Sequence, residues 1–185
     1  VYQELAKKYG DRIMSPPISE LGFCGLATGA AMAGLRPIVD ISTGSFIFEG
    51  WPQVANEAAN AFSMSGGQTR VPVVFHLFHG LRGGGAAQHS ASPQAMRWNN
   101  PGLEIVLPSS PRDVKGLLKS AVASDNPTIF VDHVQLLDLK GDVPENDTPI
   151  PFGVADVKRK GSDVTVIATS YMVQRCLQVA TKLAS

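Results

Sequence analysis

Four short runs of β-branched and aromatic residues recur along the chain: "RPIVDIS" (36–42), "VPVVFHLF" (71–78), "LEIVLPS" (103–109) and "PTIFVDHV" (127–134). They are too short for helices and too continuously apolar for strands with one wet face. With helical stretches between them, they predict an α/β fold, a parallel sheet covered by helices on both faces in three layers. Ligands of such sheets bind beyond the carboxyl ends of the strands. The chemistry is therefore sought in the following loops, 41–49 and 78–92.

The helical stretches carry their own punctuation. "VYQELAKKYG" predicts a short helix stopped by Gly10, and the prolines of "RIMSPPI" hold the chain extended. Ser19 is placed to cap a helix running to about Ala33 and stopped by Gly34. "WPQVANEAANAFSMS" predicts one helix with Pro52 near its first turn, and "SPRDVKGLLKSAVAS" another. The polar, proline-rich stretch 139–153 reads as a linker after a domain of residues 1–138. Beyond it lie an expected strand, "DVTVIATS" (163–170), and a helix, "YMVQRCLQVATKLAS" (171–185). One strand and one helix cannot bury a core of their own. Residues 154–185 are therefore expected to be the start of a truncated second α/β domain.

Charge excludes some functions. The 16 basic and 16 acidic residues cancel, so nothing draws this chain to nucleic acid or to an anionic membrane. Cys24 and Cys176 lie far apart in apolar surroundings, which suggests buried free thiols in a reducing compartment. The charged start lacks the apolar core of a signal peptide. The longest apolar run, Leu21–Leu35, falls short of the roughly 18–20 residues that cross a bilayer. A cytoplasmic or organelle-matrix protein is expected.

Several residues stand out. Glu20 is a lone carboxylate at the mouth of a helix made of Gly22, Gly25, Gly29 and alanines. Each glycine costs about 1 kcal/mol against alanine, so the helix suggests close approach of another helix, a subunit or a cofactor. A carboxyl buried there would serve as proton donor or acceptor; an exposed one would only complement the helix dipole. "GLRGGGAAQHS" (80–90) is a glycine-rich loop carrying His89, without the pattern of a phosphate-binding loop. His76 and His79 lack metal spacing and a carboxylate neighbour in sequence, which argues against zinc. His133 reads as structural. Phe46, Phe48 and Trp51 follow the first strand, where an aromatic ring can stack on a flat ligand or join the core.

The motifs "PISELGFCGLATGAAMAGLRPIVDI", "NAFSMSGGQTRVPVVF", "GGGAAQHS", "PGLEIVLPSSPRDVKGLLKSAV" and "DNPTIFVDH" resemble, in order and over nearly the whole chain, the β subunit of thiamine-diphosphate-dependent 2-oxo acid dehydrogenases. These are the E1 components of pyruvate, branched-chain and acetoin dehydrogenase complexes. The resemblance implies a pyrimidine-binding domain and oxidative decarboxylation of a 2-oxo acid, with acyl transfer to the lipoyl group of E2. It implies an α2β2 assembly in which Mg²⁺ and diphosphate are held by a GDG…N motif of the α subunit, and this chain has no GDG. Glu20 matches the glutamate of the P-I-S-E motif, whose carboxyl bonds the cofactor's pyrimidine N1′. Phe46 matches the aromatic packed on the pyrimidine, and His89 the active-site histidine.

The family can also hold a structural K⁺ through main-chain carbonyls, here at Val73, Ala121, Val122, Ser124 and Asn126. Ser42 and Glu49, on the cofactor side, stand where Met and Gln are usual, and "HLFHG" (76–80) replaces the common RGPNG. These departures leave the choice of 2-oxo acid open. Two other readings remain: another transketolase-like pyrimidine domain, of transketolase or deoxyxylulose-phosphate synthase type, and a non-catalytic paralogue that keeps the subunit interface.

Overall fold

The four apolar runs form four parallel strands: β1 (Ile38–Thr43), β2 (Val74–His79), β3 (Glu104–Val106) and β4 (Thr128–His133). Their order is β1-β2-β4-β3, so β2 and β4 are central. The computed structural model describes residues 2–95, 99–145 and 148–184. Residues 146 and 147 of the expected linker, together with Val1 and Ser185, lie outside the described residues.

Alternation along the central strands divides the core in two. Phe75 and Leu77 of β2 and Ile129 and Val131 of β4 meet Cys24, Ala27 and Ala31 of α2 (Glu20–Met32). Val74, Val106 and Phe130 face the other way, toward Ala121 and Leu117 of α4 (Pro111–Ala123). The remaining helices are α1 (Tyr2–Tyr9), α3 (Ala61–Met64) and α5 (Tyr171–Leu183). The three-layer expectation therefore holds for β2 and β4. It stops short at β1, where Ile38, Asp40 and Ser42 alternate outward and stay exposed.

Two element expectations need correction. The single helix expected over 51–65 is a π-helical turn, Pro52–Ala58, followed by α3. Ala59 N–H reaches back five residues to Val54 O (3.1 Å), and Asn60 Nδ2 donates to Ala55 O (3.1 Å). Such bulges wind the helix wider than the α pattern that periodicity assumes. The strand expected over 163–170 is extended but pairs with no strand among the described residues, and Val164, Val166 and Ile167 are exposed. An extended segment becomes a strand only when a neighbour takes up its N–H and C=O groups.

The linker is docked rather than loose. Ile150 N–H donates to Gly116 O (3.2 Å), and Ser120 Oγ donates to Ile150 O (2.6 Å). A Cβ on Gly116 would lie 2.5 Å from Ile150 Cγ1, so glycine makes room for the crossing chain. The start of α5 is tied to the strand ends. His79 bonds Ser170 Oγ through Nε2 and Ser92 Oγ through Nδ1 (both 3.1 Å), and His133 stacks on Tyr171 at 4.9 Å.

A polar bridge crosses three strands. His76 on β2 donates from Nε2 to Asp132 Oδ2 of β4 (2.8 Å), while its Nδ1 lies 3.8 Å from Asp40 Oδ1 of β1. Burial by itself would lower the imidazole's pKa. The hydrogen bond to Asp132, the close Asp40 carboxylate and the charges of both outweigh burial and raise the pKa to about 9. His76 and Asp132 are only 19% and 16% exposed, so solvent screens the pair weakly. Because the folded-state pKa exceeds the unfolded one, the stabilisation is fully present below pH ~6.5 and is lost as pH rises through about 9. Chemical denaturation at a series of pH values should show stability falling by up to about 3 kcal/mol across that window. His76→Gln should remove this fall.

Candidate active site

All four strands point the same way, so the loops after β1, β2 and β4 gather at one edge. Near its end β1 is irregular: its pairing with β2 shifts register between Asp40 and Ser42. Ser42 has φ +63, a left-handed value for a non-glycine residue, and its N–H donates to Asp40 Oδ1 (2.8 Å). A tight helical turn, Gly44–Phe48, follows. Gly44 permits it, since a Cβ there would stand 2.8 Å from Phe78 O.

The second loop closes onto the first. Ser45 Oγ donates to Gln88 O, and the Phe46 ring meets the His89 imidazole edge-on, with centroids 5.2 Å apart and planes at 78°. Two residues singled out from separate sequence motifs are thus in contact. Phe46 and Trp51 also pack against the larger core cluster, whereas Phe48 and Glu49 stay exposed at the end of the turn.

Glu20 is the first residue of α2, whose cap is as expected: Ser19 Oγ accepts from Gly22 N–H (3.2 Å). Glu20 is half-buried. Gly50, just beyond the Phe46 turn, touches this first turn of helix: a Cβ there would lie 2.9 Å from Cys24 Sγ and 3.1 Å from Glu20 O. The pKa of the Cys24 thiol is pushed up to about 12, first by burial and then by the charge of Glu20. The neighbouring glycines have different reasons. Gly25 makes room for Gln53, whose side chain would lie 3.1 Å from a Cβ at that position, whereas a Cβ on Gly29 would meet nothing within 4 Å in this chain.

Between the second loop and the short turn after β4 lies a cavity of about 760 Å³, lined by residues 81–85, His89, Val134 and Gln135. Arg82 and His89 enter it from around one point. A Cβ on Gly85 would stand 3.1 Å from Arg82 Cβ and 2.9 Å from His89 Cβ. Arg82 Nη1 donates to Thr43 Oγ1 at the end of β1 (3.2 Å).

Sequence reasoning missed three of these placements. Arg82 could have been noticed as a lone charge in a glycine run. His76 was set aside for want of a carboxylate, yet the sheet brings it two, Asp40 and Asp132. His79 is buried between two serines. His133 stands at the end of β4 as expected, and burial lowers its pKa. Among the described residues no group of three or more His, Cys, Asp or Glu could hold a metal ion.

At least three of the five carbonyls expected to hold K⁺ accept hydrogen bonds within the chain. Arg36 Nη1 donates to Val122 O (3.0 Å) and Ser124 O (2.7 Å), and Val73 O accepts from Thr128 N–H (2.9 Å). The same guanidinium is paired with Asp125 at 2.5 Å.

Comparison with known proteins places this geometry in a family. The family described as "Transketolase, pyrimidine binding domain" matches residues 2–140, and "Transketolase, C-terminal domain" matches residues 153–185. The chain belongs to the transketolase pyrimidine-binding domain family. It is 44% identical, over 99% of its length, to the pyruvate dehydrogenase E1 component subunit beta of Bos taurus mitochondria and to that of Rickettsia felis. It spans 52% and 56% of those relatives, about half their length. Among solved structures, "Split gene transketolase, inactive beta4 tetramer" shares the fold with a TM-score of 0.80 at 20% identity, covering 98% of this chain and 56% of that one.

Gly85→Ala tests the shared origin of Arg82 and His89. The added methyl has no room between the two side chains, so His89 should be displaced. The expected outcome is a shifted His89 Cε1–H resonance in NMR spectra, with a melting temperature within about 4 °C of the parent because the loop lies outside the core.

Proposed function

We propose that the chain is the pyrimidine-binding portion of an E1 β subunit, active in oxidative decarboxylation of a small 2-oxo acid and acyl transfer to a lipoyl group on E2. The cofactor is thiamine diphosphate, with Mg²⁺ held by an α subunit in an α2β2 assembly. The observation that carries this reading is the Phe46–His89 contact between the loops after β1 and β2, followed at Gly50 by close approach to the first turn of the Glu20 helix. The names of the relatives favour the dehydrogenase over a transketolase or synthase, and the presence of all three residues favours a catalytic chain over a paralogue kept for its interface.

The residues fit the cofactor. A carboxyl at a helix mouth beside a buried thiol can share a proton with a ring nitrogen through a charge-assisted bond. The Phe46 ring offers an apolar platform for a flat heterocycle. When bound, thiamine diphosphate supplies the nucleophilic carbon and the electron sink for decarboxylation. Glu20 would hold a proton at the pyrimidine N1′, Phe46 would orient the ring, and His89 would assist proton transfer near the reacting carbon or at the incoming lipoyl group. Ser42 and Glu49 line the cofactor side of the first loop.

In the same reading, residues 1–138 form the pyrimidine domain, 139–153 the linker, and 154–185 the first part of a second domain. No described helix is long and apolar enough to cross a membrane. The compartment proposed is the bacterial cytoplasm or the mitochondrial matrix.

Glu20→Gln keeps the shape and the hydrogen-bonding amide but cannot share the proton. With the full-length chain co-expressed with its α subunit, turnover of a 2-oxo acid should fall about 100-fold or more. Unchanged turnover would sink the assignment.

A further inference from the structure

A 2-oxo acid brings its own negative charge into the site, and Glu20 and Phe46 offer nothing to receive it. The cavity beside His89 does. Beside three glycines, Leu81, Val134, Gln135 and His89, its lining includes one permanently cationic residue, Arg82. We propose that Arg82 is the residue that receives the substrate carboxylate, and so sets the preference of this site for small anionic carbonyl compounds. The proposal rests on the E1 reading and names its specificity residue.

Three observations carry it. First, Arg82 is held in place. Its N–H donates to Ser90 Oγ (3.3 Å), its carbonyl accepts from Gly85 N–H (3.0 Å), and Nη1 donates to the buried Thr43. Second, that last bond uses one guanidinium N–H of five, and among the described residues no carboxylate pairs with Arg82. The planar fork is therefore available to bind a carboxylate through two parallel bonds. Third, Gly85 lets the Arg82 and His89 side chains leave the loop around one point. A small ligand whose carboxylate rests on Arg82 is thereby brought beside the imidazole. Arg82 also follows closely on residues 76–80, where this chain departs from the pattern it otherwise resembles.

The test uses the full-length chain with its α subunit, two substrates and two variants. Pyruvate is the anionic probe; butane-2,3-dione is an uncharged dicarbonyl of similar shape. Arg82→Met should raise KM for pyruvate about 10- to 100-fold, with the loss in KM rather than kcat, and leave the dione unaffected. Arg82→Lys should recover part of the loss. An unchanged KM for pyruvate, or an equal rise for both compounds, overturns the proposal. Saturation-transfer NMR of the same two compounds provides a readout independent of turnover. Pyruvate binding that is lost in Arg82→Met, with no turnover in either protein, supports Arg82 and removes the dehydrogenase reading. Equal pyruvate binding by parent and variant overturns the Arg82 assignment whatever the turnover.

Discussion

The burial of β2 and β4 on both faces is the constraint from which the rest of the structure follows. Phe75, Leu77, Ile129 and Val131 are fully buried against α2, while Val74 and Phe130 are buried on the α4 side. Two central strands that are apolar on both sides require a helical layer above and below, and connections that return each chain segment to the same starting edge. Every strand then ends at the opposite edge, and the polar loops are delivered there together. Truncating Phe75 or Phe130 to alanine would cost about 3–5 kcal/mol and with it the platform for those loops.

Polar contacts then decide how the loops are aimed. Asp40 serves two neighbours, His76 on the next strand and the Ser42 N–H at the register shift of its own strand. The left-handed Ser42 is thereby linked through Asp40 to the half-buried His76–Asp132 pair. His79 plays a similar part on the next strand, joining the second loop through Ser92 to the start of α5 through Ser170. These contacts link the sheet interior to the loops in a few bonds, so the loops' geometry depends on residues inside the sheet.

The fold was legible in the sequence because its signals are local. Alternating apolar runs, the Ser19 cap and the glycine stops after Tyr9, Met32 and Met64 are each written within a few residues. The misses are non-local. The π-helical turn at Pro52–Ala58 arises from packing that a periodic pattern does not encode. The segment 163–170 has strand composition, yet pairing depends on a neighbour, and it has none among the described residues. Of the candidate site, Glu20, Phe46 and His89 were recognisable as motif residues. Arg82 and the carboxylates around His76 were not, because their partners lie far away in sequence: Asp132 is 56 residues from His76, and Thr43 is 39 from Arg82.

By itself the sequence determined the α/β class, the strands, most helix ends and the family pattern, since these depend on periodicity, capping and short motifs. Only the tertiary structure decided that Phe46 meets His89, that Arg82 reaches Thr43, and that Arg36 bonds the carbonyls of Val122 and Ser124. The physical reason is that hydrogen bonds and charges act over a few ångströms in space, and the chain alone does not say which of its distant segments will come that close.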